Sequence, residues 1–256
     1  VVLDEDGKRP EEAFFAGGHH RDELPALEEV ADKALRLAYN RVGTKKGPTK
    51  KTTMVVDPRA AGSIVGRLLS ALDGGSLQQR RSFWAGKIGQ RAVSPLLTIV
   101  DDPLVVRGLA SRPFDGEGIA AKSMPILEAG VLRNYYIDTY YGKKLGMSPT
   151  TGSPSNRVLK LGDKDRDALI GDLDDGILIT SWLGGNSDSA TGDFSLGVRG
   201  HLIEKGQVGA PVSEMNVTGN LLTMFSSLRA LGNDPWKYSA MKVPTLVFDD
   251  VNFSGV

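Results

Sequence analysis

Three histidines and no cysteine make up all the imidazole and thiol chemistry in this chain. The histidines are His19, His20 and His201. A zinc hydrolase needs two or three histidine or carboxylate ligands and a general base, most simply a His-Glu pair on a helix with a second histidine one turn on. His19 and His20 are adjacent and project in different directions on any regular backbone, so they do not chelate one ion. His201 falls in an expected strand with no ligand residue two positions to either side. Each imidazole therefore reads as a satisfied or solvated side chain. There is no Gly-x-Ser-x-Gly elbow, and no serine has a local histidine, so nucleophilic serine chemistry has no local signature. Gly116-x-Gly118-x-x-Ala121 fits a loose dinucleotide fingerprint, but SRPFD precedes it where an apolar strand is required, and a hairpin follows in place of a helix. Asn186–Asp193 gathers oxygen ligands beside Gly192 but misses the calcium-loop spacing and its terminal glutamate, and reads as a turn.

The elements that must position any chemistry are those of a globular chain. With 256 residues, 40% hydrophobic and 24% charged, it can bury a sizeable core. Thirty-one basic and thirty-one acidic side chains cancel, so no global field draws it to nucleic acid or to an anionic membrane. No apolar run reaches the roughly 18 residues of a membrane span, and VVLDEDGKRP lacks a signal-peptide pattern, so a cytoplasmic location is expected. Thirty-one glycines point to turns and hairpins.

Along the chain, Val1–Leu3 and Ala13–Phe15 suggest a terminal hairpin. Leu27, Val30, Ala31, Ala34, Leu35 and Ala38 fall at helical spacing within an amphipathic helix over Leu24–Val42, stopped by Gly43. Thr44–Lys51, TKKGPTKK, reads as a solvated basic linker. Thr53–Val56 is an expected strand, and Asp57-Pro58 caps a buried helix over Arg59–Leu72 that ends at Asp73-Gly74-Gly75. A short helical piece over Ser82–Ile88 and a strand over Leu96–Val100 follow. Ser111–Gly146 holds a tight turn at Asp115–Gly118, a segment Met124–Glu128, a turn at Ala129-Gly130, a strand over Val131–Asp138 and a short helix stopped by Gly146. Thr150–Asn156 reads as a polar loop and Asp163–Asp175 as a charged stretch outside the core. Gly176–Leu183 is the strongest strand signal, Gly184–Gly192 a loop, and Asp193–Glu204 a strand turned by Lys205-Gly206 into Gln207–Val212. Leu127–Val131 and Ile203–Val208 share one apolar-Glu-x-Gly form, so two hairpins of one design are expected. Leu221–Leu231 reads as a helix and Pro244–Phe253 as the last strand. The fold class is α+β: a largely antiparallel mixed sheet with hairpins and a few packed helices. Trp84, Trp182, Phe194, Phe225 and Trp236 are candidates for the core or for a partner surface.

RPFDGEG at Arg112–Gly118, LEAGVL at Leu127–Leu132, the tyrosine-rich strand after it and KKLGM at Lys143–Met147 together resemble the C-terminal domain of the TldD/PmbA family, more closely its PmbA (TldE) branch. GKIGQ at Gly86–Gln90 and GN at Gly219-Asn220 extend the resemblance over essentially the whole chain. It implies three parts: residues 1–43 as the end of an N-terminal α/β lobe, 44–51 as the linker and 52–256 as the C-terminal domain. The TldD branch is similar to a zinc metallopeptidase with His-Glu-x-x-x-His on the helix before the GKIGQ-like segment and a late cysteine completing the site. The matching positions here are Val65, Gly66 and Ser70, and Gly232–Val243 has no cysteine. The resemblance thus implies a non-catalytic subunit with no metal or cofactor of its own. Its zinc would reside in a TldD-like partner, and its substrate would be an unstructured peptide. A homodimeric peptide-binding or assembly protein is the alternative. A DNA-topology accessory role is suggested only by the family's older naming, and zero net charge argues against direct nucleic-acid contact. The turn Phe114, Asp115, Gly116, Glu117, Gly118 is expected to act through backbone shape, with Gly116 and Gly118 at positive φ or in close approach to another chain.

Overall fold

A computed structural model describes residues 1–255. Seven strands form one sheet: β1 (Lys45–Lys46), β2 (Lys50–Val56), β7 (Asp175–Ser187), β8 (Asp193–Glu204), β9 (Gln207–Asn220), β10 (Leu228–Leu231) and β12 (Leu246–Ser254), in the order β1-β9-β8-β7-β2-β12-β10. Five shorter strands form a second: β3 (Ile99–Asp102), β4 (Met124–Glu128), β5 (Val131–Leu132), β6 (Asn156–Leu159) and β11 (Met241–Lys242), in the order β11-β6-β3-β4-β5. The helices are α1 (Leu27–Tyr39), α2 (Pro58–Leu69), α3 (Gly74–Gln78), α4 (Thr139–Leu145), α5 (Arg166–Gly171) and α6 (Leu221–Ser226). Most pairings are antiparallel, with β2–β7, β1–β9 and β6–β11 parallel, so the expected α+β class with a largely antiparallel mixed sheet stands.

Side chains alternate across a strand, and here the alternation separates two cores. Met54 and Val56 of β2, Ile177 and Ile179 of β7, and Phe248 of β12 face the main core with Ile64, Val65 and Leu68 of α2 and Ile99, Ile126 and Leu127 of the second sheet. Val55, Leu178 and Val247 face the other way, onto a small core under α5 with Leu169, Ile170 and Leu173. Helix α2 is set by its ends: the Asp57 side chain accepts from the Arg59 amide, and Pro58 opens the helix.

The two hairpins share one turn. Ala129 and Gly130 have φ of 46° and 76°, Lys205 and Gly206 of 49° and 76°, and each pair is the two-residue loop of a hairpin, Glu128 opposite Val131 and Glu204 opposite Gln207. That is the mirror-image turn that right-twisted strands favour. They lie in different sheets.

Several expectations are corrected. Lys45–Lys46 pairs with Val212–Ser213, and Lys50–Lys51 opens β2, so half of the supposed basic linker is sheet. Its lysines meet carboxylates: Lys46 with Glu214, Lys50 with Asp175 and Lys51 with Asp250. The terminal hairpin pairs Val2 with Glu11, short of Ala13–Phe15. Ser82–Ile88 is a run of turns, while a helix, α3, starts where only a terminator was read. Its Gly74-Gly75 opening hides it, yet a Cβ at Gly74 would come within 2.6 Å of Tyr141 Cβ. Only Val131–Leu132 of the supposed strand 131–138 is paired in the sheet. Asn156 opens a strand, and Asp163–Asp175 contains α5 with its buried Leu169 and Ile170. Helix α6 stops at Ser226 because Leu228 and Leu231, both buried, pair with β12. Finally, β7 and β9 run longer than expected. Gly184 and Gly185, at φ 111° and 106°, bend β7 through a bulge, and Gly185 must be glycine, since a Cβ there would meet the Ser195 carbonyl oxygen at 2.1 Å.

Candidate functional site

Helix α2 carries the three positions that the family resemblance assigns to a metal. Val65 is fully buried in the main core, Gly66 is half-buried, and Ser70, beyond the helix end, is exposed with its hydroxyl bonded to the Arg67 carbonyl. The helix is held near both ends by indoles. Trp182 Nε1 donates to the Ala60 carbonyl at 2.9 Å, and Trp84 Nε1 to the Leu68 carbonyl at 2.7 Å. Opposite Gly66 sits Met241, whose Cε would be 3.7 Å from a Cβ at that position. Met241 belongs to the late segment Gly232–Val243, so the structure does bring together the two stretches that the resemblance pairs. What meets there is a glycine, a buried valine and a thioether. Among the described residues no three of His, Cys, Asp and Glu gather into a metal-holding group. The donor set does not fit zinc, because no imidazole, thiolate or carboxylate belongs to it.

GKIGQ is a pair of tight turns beside this helix. Gly86 and Gly89 have φ of 72° and 77°, the Gly89 amide donates to the Leu132 carbonyl, and Tyr135 Oη donates to the Trp84 carbonyl at 2.6 Å. The motif therefore ties α2's tryptophan to the second sheet. Asn220 caps α6 through Oδ1 and bridges to Asp193 and the Thr191 carbonyl through Nδ2.

The turn Phe114–Gly118 is built around Asp115, which is buried. Its Oδ1 accepts from the Glu117 and Ile119 amides at 2.9 and 3.0 Å. Burial alone would raise this carboxyl, but those amides and the Arg112 guanidinium hold it below its usual value. Glu117 accepts from the Thr139 amide at 2.9 Å and from the Thr139 hydroxyl, pinning the turn to the start of α4. Gly118 has φ of 79° as expected. Gly116 does not. It has no positive φ, and a Cβ there would meet nothing within 4 Å, so the positive-φ part of the expectation does not hold for Gly116 and nothing among the described residues requires a glycine there.

Behind the turn lies a polar knot that sequence reasoning missed. Buried Asp101 accepts from Tyr136 Oη at 2.8 Å, from the Ser155 amide and from the Ser155 hydroxyl. Burial and the adjacent Asp101 carboxylate push the Tyr136 hydroxyl well above its usual range, so it is a fixed donor at any physiological pH. Asp101-Asp102-Pro103 reads locally as a strand end, and nothing in it signals a partner 35 residues on.

His19 and His201 are far from α2's metal positions in their bonding: His19 Nε2 lies 3.2 Å from the Gly108 carbonyl and His201 Nδ1 3.3 Å from that of Gly209. Of the large aromatics, Trp84, Phe194 and Phe225 are core. Trp182 packs partly buried against it, and Trp236 stacks edge-on with Phe14 and Tyr238.

Residues 49–255 match the family described as the PmbA/TldA metallopeptidase C-terminal domain. Metalloprotease PmbA of Escherichia coli is 26% identical over 257 residues, covering all of this chain and 57% of its own length. A crystal structure of a proposed modulator of DNA gyrase from Bacteroides thetaiotaomicron superposes with a TM-score of 0.96 at 42% identity, over the whole of this chain and 58% of that one. TldE from Thermococcus kodakarensis, at 20% identity and a TM-score of 0.84, shares the fold over 99% of this chain and 61% of its own. The chain thus spans somewhat over half the length of these relatives. Fold, turn motifs and match extent agree: the chain belongs to the PmbA/TldD family.

Proposed function

We propose that this chain is the non-catalytic, PmbA/TldE-like subunit of a two-subunit zinc metallopeptidase that cleaves flexible peptides. The zinc belongs to a TldD-like partner. The observation that carries this reading is the Met241 thioether beside Gly66, its Cε 3.7 Å from where a Cβ there would lie, next to buried Val65: the residues at the place a metal site would occupy are apolar. A partner surface is available. The loop from Pro103 to Ala121 and the start of α4, joined by Glu117, expose Leu104, Val106, Phe114 and Tyr140, the four being 56% to 87% accessible. Large apolar side chains left in the open on one linked segment mark an interaction face.

The test is reconstitution. Co-expressed with a TldD-like relative carrying His-Glu-x-x-x-His, the chain is expected to sediment as a heterodimer at micromolar concentration, with about one zinc per pair, all of it lost when the partner's histidines are replaced. Phe114→Ser is expected to weaken the pair without lowering the Tm of the chain alone. Stoichiometric zinc on this chain by itself, or a monomer indifferent to the partner, overturns the proposal. A stable homodimer under the same conditions favours the peptide-binding alternative.

A further inference from the structure

We propose that the cavity between the end of α1, α5 and the β8–β9 hairpin is a carboxylate-binding subsite in which Arg41 receives the anion. The cavity measures about 540 Å³ and is lined by Arg41, Asp57, Arg59, Arg166 and His201, with Glu12 at its wall. Its charges can be paired off one by one. Arg59 Nε lies 2.9 Å from Asp57 Oδ1, and Arg166 Nη1 2.8 Å from Asp57 Oδ2. Arg166 also reaches Asp167 at 2.9 Å, and Arg199, just behind the wall, reaches Glu12 at 3.4 Å. Arg41 is left over. Among the described residues no carboxylate lies within 4.0 Å of it, and its one hydrogen bond runs from Nη1 to the Gly200 carbonyl at a long 3.4 Å. It is nonetheless 5% exposed. Arg41, Arg59 and Arg166 line the cavity with Glu12, Asp57 and Asp167, and counting Arg199 behind the wall, which takes Glu12, the group of four arginines holds one positive charge more than its three carboxylates, on buried Arg41. Burial and the like charge of Arg199 both depress the Arg41 guanidinium, with Glu12 only partly offsetting them.

A guanidinium carries five N–H donors in a planar fork that matches a carboxylate, and a buried charge without a counter-ion is costly to hold. One excess charge calls for one negative charge. A phosphate dianion would overshoot it and would face Glu12, Asp57 and Asp167. An uncharged ligand would leave the guanidinium as it is. The cavity also opens beside the outer edge of β9 over Gln207–Pro211, where no strand pairs on that side among the described residues. An extended peptide could run along that edge with its carboxylate at Arg41. That the acid belongs to a peptide rests on the function proposed above. The charge count does not.

Calorimetric titration in chloride-free buffer at pH 7 tests this with four probes: propionate, Ac-Gly-Gly-Leu with a free C-terminus, its amide, and Ac-Gly-Glu-Gly-amide. Propionate and at least one carboxylate-bearing peptide are expected to bind, and Ac-Gly-Gly-Leu-amide is not. The free-terminus peptide alone assigns the site to a chain end, and the glutamate peptide to an acidic side chain. Arg41→Met is expected to lower affinity at least tenfold without lowering the Tm, because it removes an uncompensated charge. Glu12→Gln strips Arg199 of its partner and is expected to tighten binding severalfold, a gain that misfolding cannot imitate. Failure of both propionate and the peptide acids to bind, unchanged affinity in Arg41→Met, or tighter binding of inorganic phosphate each overturns the carboxylate site. Binding of propionate without either peptide acid keeps the site and rejects the peptide, leaving the subunit reading to be judged by reconstitution.

Discussion

The packed face of helix α2 and the Arg41 cavity are separated by a single alternation in β7: Ile177 and Ile179 belong to the main core with the helix, while Leu178 and Thr180 line the cavity, which the first turn of α2 reaches only through Asp57 and Arg59. On the helix side Val65 is packed in carbon, Gly66 offers no side chain and the Ser70 hydroxyl is taken by the Arg67 carbonyl, while two indoles donate to helix carbonyls. On the cavity side a cation is kept under cover with no carboxylate within 4.0 Å of it among the described residues. On the reading proposed above, the helix side supplies packing and no chemistry. A buried charge that persists marks a demand from outside the chain.

The strongest way to break that contrast is to put the missing ligand back. Val65→His places an imidazole into a fully packed core with no partner, and is expected to cost roughly 3 kcal/mol of unfolding free energy in urea titration without conferring zinc affinity. Bound zinc with a rise in stability would show that the helix side is a latent metal site and not a packed one.

A smaller effect separates shape from contact in the Phe114–Gly118 turn. Gly118→Val forces a β-branched residue to φ near 79° and is expected to cost about 1–3 kcal/mol, whereas Gly116→Ala stays within about 0.5 kcal/mol in the isolated chain. If Gly116→Ala weakens assembly with the zinc-bearing partner while leaving the Tm alone, the glycine is there for the other subunit.

The smallest expected effect is a slope. His201 is held below its ordinary value by burial and by the nearby charges of Arg41, Arg166 and Arg59, against the opposing pull of the Gly209 carbonyl. Its folded form therefore resists protonation while the unfolded form accepts it. Stability present above about pH 6.5 should decline as pH falls through the depressed folded value, and His201→Asn should flatten that decline. Propionate in the cavity should move the His201 titration upward by NMR. No movement would separate His201 from the carboxylate site.

What the sequence disclosed follows the range of the interactions involved. The amphipathic α1, the Asp57-Pro58 cap and both hairpin turns are written within a few residues, and they appear where read. The bulge at Gly184-Gly185 reads as a loop because glycine pairs usually mark one; the opposing Ser195 carbonyl is what requires Gly185. Strand β10 was read as helix because Leu228 and Leu231 keep helical spacing until β12 claims them. Lys50 and Lys51 look solvated until Asp175 and Asp250 arrive from more than a hundred residues away. Arg41 gave no signal at all, since a cation just past a helix C-terminus is ordinary. Its isolation is a property of four elements brought together.

The pairing of β2 with β12 has a consequence for how this molecule comes into being. β2 is an interior strand of its sheet, set between β7, about 125 residues downstream, and β12, about 195 downstream, and the end of β12 crosses to β9 at Phe253–Val217. Such pairings reward the chain only after long loops have closed, and that makes folding slow. During synthesis, Met54, Val55 and Val56 leave the ribosome well before the strands that cover them. Until β7 and then β12 emerge, the apolar end of β2 is exposed with unpaired edges to every other nascent chain. The segment that organises the finished sheet is thus also the one for which a chaperone has the most to do.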